Sequence, residues 1–116
     1  MLYGYGFWAH NLKQDNSGQP ADVIAVRNKV AYLIDAKDCE KDYFLLSRIE
    51  ENQDLAMTLW GEVGNGDGWF AIRTKGEVYM VAYSILNHLR KTHKRISYDD
   101  IHNIGYEFGE WVMLCK

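Results

Sequence analysis

The sequence predicts a single α/β domain built on a mixed β-sheet. Three observations predict it. Short β-branched runs sit in pairs around turn residues, helical periodicity appears between and after those pairs, and composition does not shift along the chain. At 116 residues there is room for one hydrophobic core, so residues 1–116 are expected to form one domain. Hydrophobic residues make up 47% of the chain and aromatic residues 14%. With one proline and no long polar tract, this composition argues for an ordered globular protein.

The elements follow in order. From Tyr3 to His10, Tyr3, Tyr5, Phe7 and Ala9 alternate with Gly4, Gly6, Trp8 and His10, a period of two that predicts a strand. Asn16-Ser17-Gly18-Gln19-Pro20 breaks it. Asp22 to Val26 and Val30 to Asp35 are β-branched-rich runs around Arg27-Asn28-Lys29, which reads as a hairpin. Ser47 followed by Glu50 has the form of a capping box. Ile49, Ala56, Trp60 and Val63 then recur at helical spacing, so a helix is expected from Ser47 to about Val63. Gly61, Gly64, Gly66 and Gly68 end it. Trp69 to Arg73 and Val78 to Tyr83 predict a second antiparallel pair turning near Lys75-Gly76. A helix from about Ser84 to Lys94 follows, and Ser97-Tyr98-Asp99-Asp100 caps a last short helical piece.

Composition also restricts function. No apolar run approaches the roughly 20 residues that span a bilayer, and the N-terminus lacks a secretory pattern, so a soluble intracellular protein without a membrane partner is expected. Cys39 and Cys115 lack ligand spacing and read as free thiols. The net charge of −3 does not favour nucleic-acid binding by itself, because such affinity rests on neutralising phosphates. However, Arg90, Lys91, Lys94 and Arg95 crowd into one segment with His88 and His93. That run is a candidate phosphate-contact surface, and it is equally what a helix C-terminus favours. The glycines between 61 and 68 lack a following Gly-Lys-Ser/Thr and are read as a connection. His10, His88, His93 and His102 show no metal-ligand spacing.

The chemistry lies in Pro20-Ala21-Asp22 and Asp35-Ala36-Lys37. If the hairpin turns on Asn28 and Lys29, Asp22 lies opposite Asp35, with Cβ atoms on the order of 5 Å apart, and Lys37 projects from the same face two residues on. Like charges opposite one another destabilise a sheet unless a positive charge stands between them. Two carboxylates with a backbone carbonyl, that of Ala36, and waters suit Mg²⁺ or Mn²⁺. Such an ion acidifies a bound water and polarises a phosphoryl group, and Lys37 beside it would orient the water or stabilise transition-state charge. The same pattern in isolation also fits the solvated face of a hairpin. Gln53 falls on the stripe of Ile49, Ala56 and Trp60, where a polar amide needs a partner; it could reach the metal-bound water or a phosphate, or be a satisfied core glutamine.

Three blocks taken together resemble the RecU-type Holliday-junction resolvases of the PD-(D/E)xK nucleases and their phage-borne relatives: Gly18-Gln19-Pro20-Ala21-Asp22-Val23-Ile24, Leu33-Ile34-Asp35-Ala36-Lys37-Asp38-Cys39, and Phe44 with Ser47-Arg48-Ile49-Glu50-Glu51-Asn52-Gln53. The resemblance runs from about Phe7 to about Leu89 and continues through Gly68-Trp69-Phe70-Ala71-Ile72 and Val78-Tyr79-Met80-Val81. It implies a restriction-endonuclease-like core, a mixed sheet flanked by helices, and a Mg²⁺-dependent endonuclease of DNA recombination and repair. Asp22 and Asp35 would bind metal, Lys37 would assist catalysis and Gln53 would complete the site. The implied partners are branched four-way DNA junctions and a second copy of the chain, in the cytoplasm of a bacterial cell or a phage-infected host. DNA would be recognised by shape and backbone, with Arg48, Lys41, Arg73, Arg90, Lys91, Lys94 and Arg95 as candidate contacts. The resemblance also implies an acid near the N-terminus. No residue before Asp15 is acidic, so Asp15, a nearby residue or a neighbouring subunit would have to serve, or the site works without it. A nuclease of the same type with another DNA substrate, and a non-catalytic DNA-binding or assembly protein, are the alternatives.

Overall fold

The computed structural model describes residues 2–12 and 21–115. The break at Asn16 to Pro20 and the acid Asp15 lie outside the described residues. The strands are β1 (Trp8–Asn11), β2 (Val23–Arg27), β3 (Val30–Asp38), β4 (Tyr43–Leu45), β5 (Trp69–Thr74), β6 (Glu77–Ala82), β7 (Arg95–Ser97) and β8 (Tyr106–Glu107). The helices are α1 (Glu51–Trp60), α2 (Tyr83–Leu89), α3 (Tyr98–Ile104) and α4 (Phe108–Leu114). Among the described residues, six strands form one sheet in the order β1-β2-β3-β5-β6-β8, parallel only between β3 and β5, and β4 and β7 form a separate antiparallel pair.

Both expected hairpins form, for the reason their turn residues give. Asn28 and Lys29 have φ of 53° and 68°, and Lys75 and Gly76 have φ of 51° and 79°. Two successive left-handed residues make the turn whose twist matches antiparallel strands. The first turn sets the register Arg27↔Val30 through Val23↔Ile34, the one the sequence predicts.

Each face of the sheet buries its own cluster. One holds Leu33, Phe70, Ile72, Val81, Leu86 and Met57 beneath α1 and α2; the other holds Phe7, Ala25, Ile34, Met80, Trp111 and Val112 beneath α4. Gly68, just before β5, admits Met57 of α1 so closely that an added Cβ would stand 2.4 Å from its Sδ. On the second face Arg27 fastens both ends of the described chain. Its guanidinium donates to the carbonyls of Tyr5 (3.1 Å), Val112 (2.8 Å) and Cys115 (2.9 Å) and lies over the Phe7 ring.

Several expectations are corrected. The strand read from Tyr3 to His10 is only Trp8–Asn11. Tyr3–Tyr5 forms a 3₁₀ turn closed by Gly6 at φ 82°, which turns the chain so that Phe7 stacks on Trp111. The helix expected from Ser47 begins at Glu51. Leu46–Arg48 is a 3₁₀ turn, extended Ile49 follows it, and the box that caps α1 joins Glu50 to Gln53. A wider turn over Gly61–Asn65 ends that helix, so Val63 lies beyond it. The helix expected to reach Lys94 ends at Leu89, and Arg95 opens β7. Ser97 does cap the next helix, its hydroxyl accepting from the Asp100 amide at 3.1 Å.

Candidate active site

The hairpin delivers the acidic pair to one spot, although not as a simple ladder row. Pairing stops at Val23↔Ile34; the Asp22 N–H then donates to the Ile34 carbonyl at 3.1 Å, and the Asp22 carbonyl accepts from Leu12 at 2.7 Å. This frees the Asp22 side chain to turn inward, where Oδ2 accepts the Ala36 amide at 2.9 Å. The N–H and C=O of one strand residue leave by the same edge, so the Ala36 carbonyl also faces the Asp22 side.

Asp35 sits deeper, 2% exposed, on the helix-covered face of β3. Lys37, two residues on and on the same face, places Nζ 3.1 Å from Asp35 Oδ2. That oxygen has no well-directed hydrogen bond, so the contact is an ion pair without hydrogen-bond geometry. Burial is the largest influence on Asp35 and raises its pKa from 3.8 to about 6. Lys37 pulls it down by charge and contact, while the charges of Asp22 and Glu50 push it up.

Glu50 is the residue that sequence reasoning missed. It was read as the partner of a Ser47 cap; it is instead the N-cap of α1, close enough for Asp35 to feel its charge. Glu is not a favoured cap, which is why Glu50-x-x-Gln53 gave no signal. Gln53 is buried, and its Oε1 accepts the Glu50 amide at 3.1 Å, so its polar satisfaction begins at the helix start. Three carboxylates and one ammonium therefore gather where β2 begins, β3 passes and α1 begins. Two of them, Asp22 and Asp35, suffice for Mg²⁺, which takes one or two carboxylates and keeps its waters. Among the described residues no group of three His, Cys, Asp or Glu side chains could hold a metal by itself. The donor set fits a weakly held divalent ion completed by substrate oxygens, with Asp35 Oδ2 as the oxygen lacking a directed partner.

The basic candidates fall into three groups. Arg48 and Arg73 flank the residue after Lys37: Arg48 donates to the Asp38 carbonyl at 2.6 Å, and Arg73 meets the Asp38 carboxylate at 2.8 Å. Lys41 and Arg95 lie over the Tyr43 ring at 5.5 and 4.8 Å. Arg90 is drawn inward, its guanidinium 2.5 Å from Asp54 Oδ1 and 2.9 Å from Asn87, in a cluster where the Tyr83 hydroxyl also donates to Asp54. It ties α2 to α1. Lys91 lines the groove between those helices, and Lys94 lines a depression with Leu45, Ser47 and Ile49. The segment that looked like one basic surface is thus divided among a clasp, a groove and a strand.

Among the described residues, a mixed sheet with one parallel pair, β3 and β5, and helices on both faces has the restriction-endonuclease-like fold, and an acid-acid-lysine cluster lies on its first hairpin. Among solved structures the chain is similar to Hjc of Archaeoglobus fulgidus, a Holliday junction resolvase from an archaeal hyperthermophile. The TM-score is 0.70 over 96% of this chain and 90% of that one, at 16% sequence identity. No family model matches the sequence, and no curated protein matches it. No described helix is long and apolar enough to cross a membrane.

Proposed function

We propose that this protein is a Mg²⁺-dependent (or Mn²⁺-dependent) DNA endonuclease, a single nuclease domain that resolves Holliday junctions as a homodimer in the cytoplasm. The observation that carries the reading is Asp35, a buried carboxylate paired with Lys37 and crowded by Asp22 and Glu50, on a fold shared with a junction resolvase. The order of the RecU-like motifs supports the junction-specific part.

In this reading Asp22, Asp35 and the Ala36 carbonyl hold the ion, which supplies an acidified water and positive charge for phosphodiester hydrolysis. Lys37 holds Asp35 ionised and stabilises charge growing on the phosphoryl oxygens. Gln53 and Glu50 fix the start of α1 against the site. Arg48 and Arg73 meet the phosphates nearest the cut, Lys41 and Arg95 meet those further out, and Lys91 and Lys94 extend that surface. Arg90 acts through α1.

A second copy is the partner that α1 favours. Leu55 and Leu59 of α1 are 63% and 57% exposed one helical turn apart, and Val63, 66% exposed, follows in the turn that ends the helix. Glu51, Asp54 and Glu62 beside this apolar stripe repel DNA phosphates, and the stripe suits an apolar seam about a two-fold axis, which gives two cutting sites for a symmetric substrate.

The test is cleavage of a labelled four-way junction and of linear duplex, with Mg²⁺ or EDTA, by the protein and by Asp35→Ala. Symmetric, metal-dependent junction cutting that Asp35→Ala abolishes is the expected result. Duplex cut as well as junction would favour another nuclease substrate, and binding without cutting would make the chain a non-catalytic DNA-binding protein.

A further inference from the structure

β1 carries a pair of rings that the reaction above leaves unused. Trp8 is 57% exposed on a strand, where so large an apolar surface normally turns inward. Its indole lies flat against the His10 imidazole, with centroids 6.0 Å apart and planes 7° apart. Phe7 and Ala9, which alternate with them, pack into the cluster beneath α4, so Trp8 and His10 point to the opposite face.

That opposite face holds the acid-lysine site. Trp8 pairs with Val26 and His10 with Ile24; these pair in turn with Ala31 and Leu33, and Leu33 shares its face with Asp35 and Lys37. Two residues beyond His10, the Leu12 amide holds the Asp22 carbonyl. Trp8 is therefore four residues along β1 from the acidic row, roughly 14 Å at ~3.4 Å per residue. Measured along the axis of a duplex, this is about four base-pair steps, each ~3.4 Å. The neighbours between the rings and the site on this face, Val26, Ile24, Ala31 and Leu33, carry no charge that would repel a nucleic acid.

We infer that Trp8, backed by His10, is a stacking platform for a nucleobase that has left its helix, and that it selects branched or unpaired DNA over continuous duplex. The inference rests on the nuclease reading. A flat indole offers every base a π-face without reading its sequence. A base within intact duplex has both faces covered by its neighbours, whereas a branch point, flap or end has a base whose face is free. His10 holds the indole plane in place, so little side-chain freedom is lost on stacking. A strand whose phosphate reaches Asp22 and Asp35 brings such a base within reach of the ring.

The test compares the wild-type protein, Trp8→Ala and Trp8→Phe for binding to a four-way junction and to linear duplex in EDTA, where no cleavage occurs. A second set of junctions carries 2-aminopurine at the branch. Trp8→Ala is expected to weaken junction binding by about ten-fold or more and leave duplex binding within about two-fold. Trp8→Phe should recover most of the loss, and the 2-aminopurine signal should change on binding wild type but not Trp8→Ala. Equal losses on both DNAs, no loss, an unchanged probe, or an altered sedimentation coefficient for Trp8→Ala would each overturn the inference. Metal-dependent cutting that survives those outcomes would leave the nuclease reading standing; a wild-type protein that binds neither DNA would remove both.

Discussion

Lys37 Nζ stands 3.1 Å from Asp35 Oδ2, and both side chains are nearly withdrawn from water. Asp22 and Glu50 add negative charge around the same carboxylate. One ammonium against three carboxylates leaves the spot short of positive charge, which the proposed metal ion would supply.

Replacing Asp35 by Asn should separate stability from activity. A neutral amide of the same shape removes a buried charge that is costly at neutral pH, so Asp35→Asn in EDTA at pH 7 should gain on the order of 1–3 kcal/mol in urea unfolding. Cleavage should fall to background. A large loss of stability would mean that the Lys37 pair outweighs the burial of Asp35.

The pH dependence follows from the same carboxyl. Its folded pKa, about 6, lies above the value of 3.8 expected in the unfolded chain, so the folded state favours the protonated form. Stability from this group is complete below 3.8 and is lost as pH rises through about 6. In EDTA the melting temperature should therefore fall by this contribution between those values. Asp35→Asn should flatten the slope, and Mg²⁺, which needs the ionised carboxylate, should raise the high-pH end most. Thermal scans at several pH values with and without Mg²⁺ measure both effects.

Lys37→Ala should lower the cleavage rate by about 10²–10³, the size seen when one charge-stabilising donor is removed. It should also push Asp35 further up, because both effects that lower its pKa come from Lys37. The variant should thus be destabilised more at pH 8 than at pH 5. A uniform loss across pH would place the role of Lys37 in packing alone.

Arg90 and Arg73 looked alike in the sequence and should behave differently. Arg90→Ala strips a half-buried partner from Asp54 and should cost about 1–2 kcal/mol of stability with little change in the salt dependence of DNA binding. Arg73→Ala removes an exposed cation beside the site. It should leave stability nearly unchanged, weaken binding and reduce the slope of log K against log salt by about one. Salt titrations of both variants distinguish the roles.

Leu59→Glu should yield a monomer by sedimentation with an unchanged circular dichroism spectrum, since the side chain is already exposed in the single chain. A dimer that survives the substitution would move the seam elsewhere.

Much of the site was legible because hairpins obey local rules. Asn28-Lys29 fixed the register, and register placed Asp22, Asp35 and Lys37. The inward turn of Asp22 onto the Ala36 amide was not legible, since it depends on the ladder ending one residue early. Glu50 was hidden by a more orthodox cap at Ser47. Tyr43–Leu45 and Arg95–Ser97 are too short to show a period, and they pair across about fifty residues, so the strand beginning at Arg95 read as the end of a helix. The alternation over Tyr3 to His10 was real, but Gly6 spent it on a turn.

Arg27 joins the Tyr5 carbonyl to those of Val112 and Cys115 through one planar group. Phe7 and Trp111 stack just beneath it. Peeling α4 from the sheet would therefore loosen the turn before β1 in the same event, and the reverse holds too. The two peripheries have no separate opening of their own: amide protons of Phe7 and Trp111 should exchange together, at the rate set by unfolding of the whole sheet.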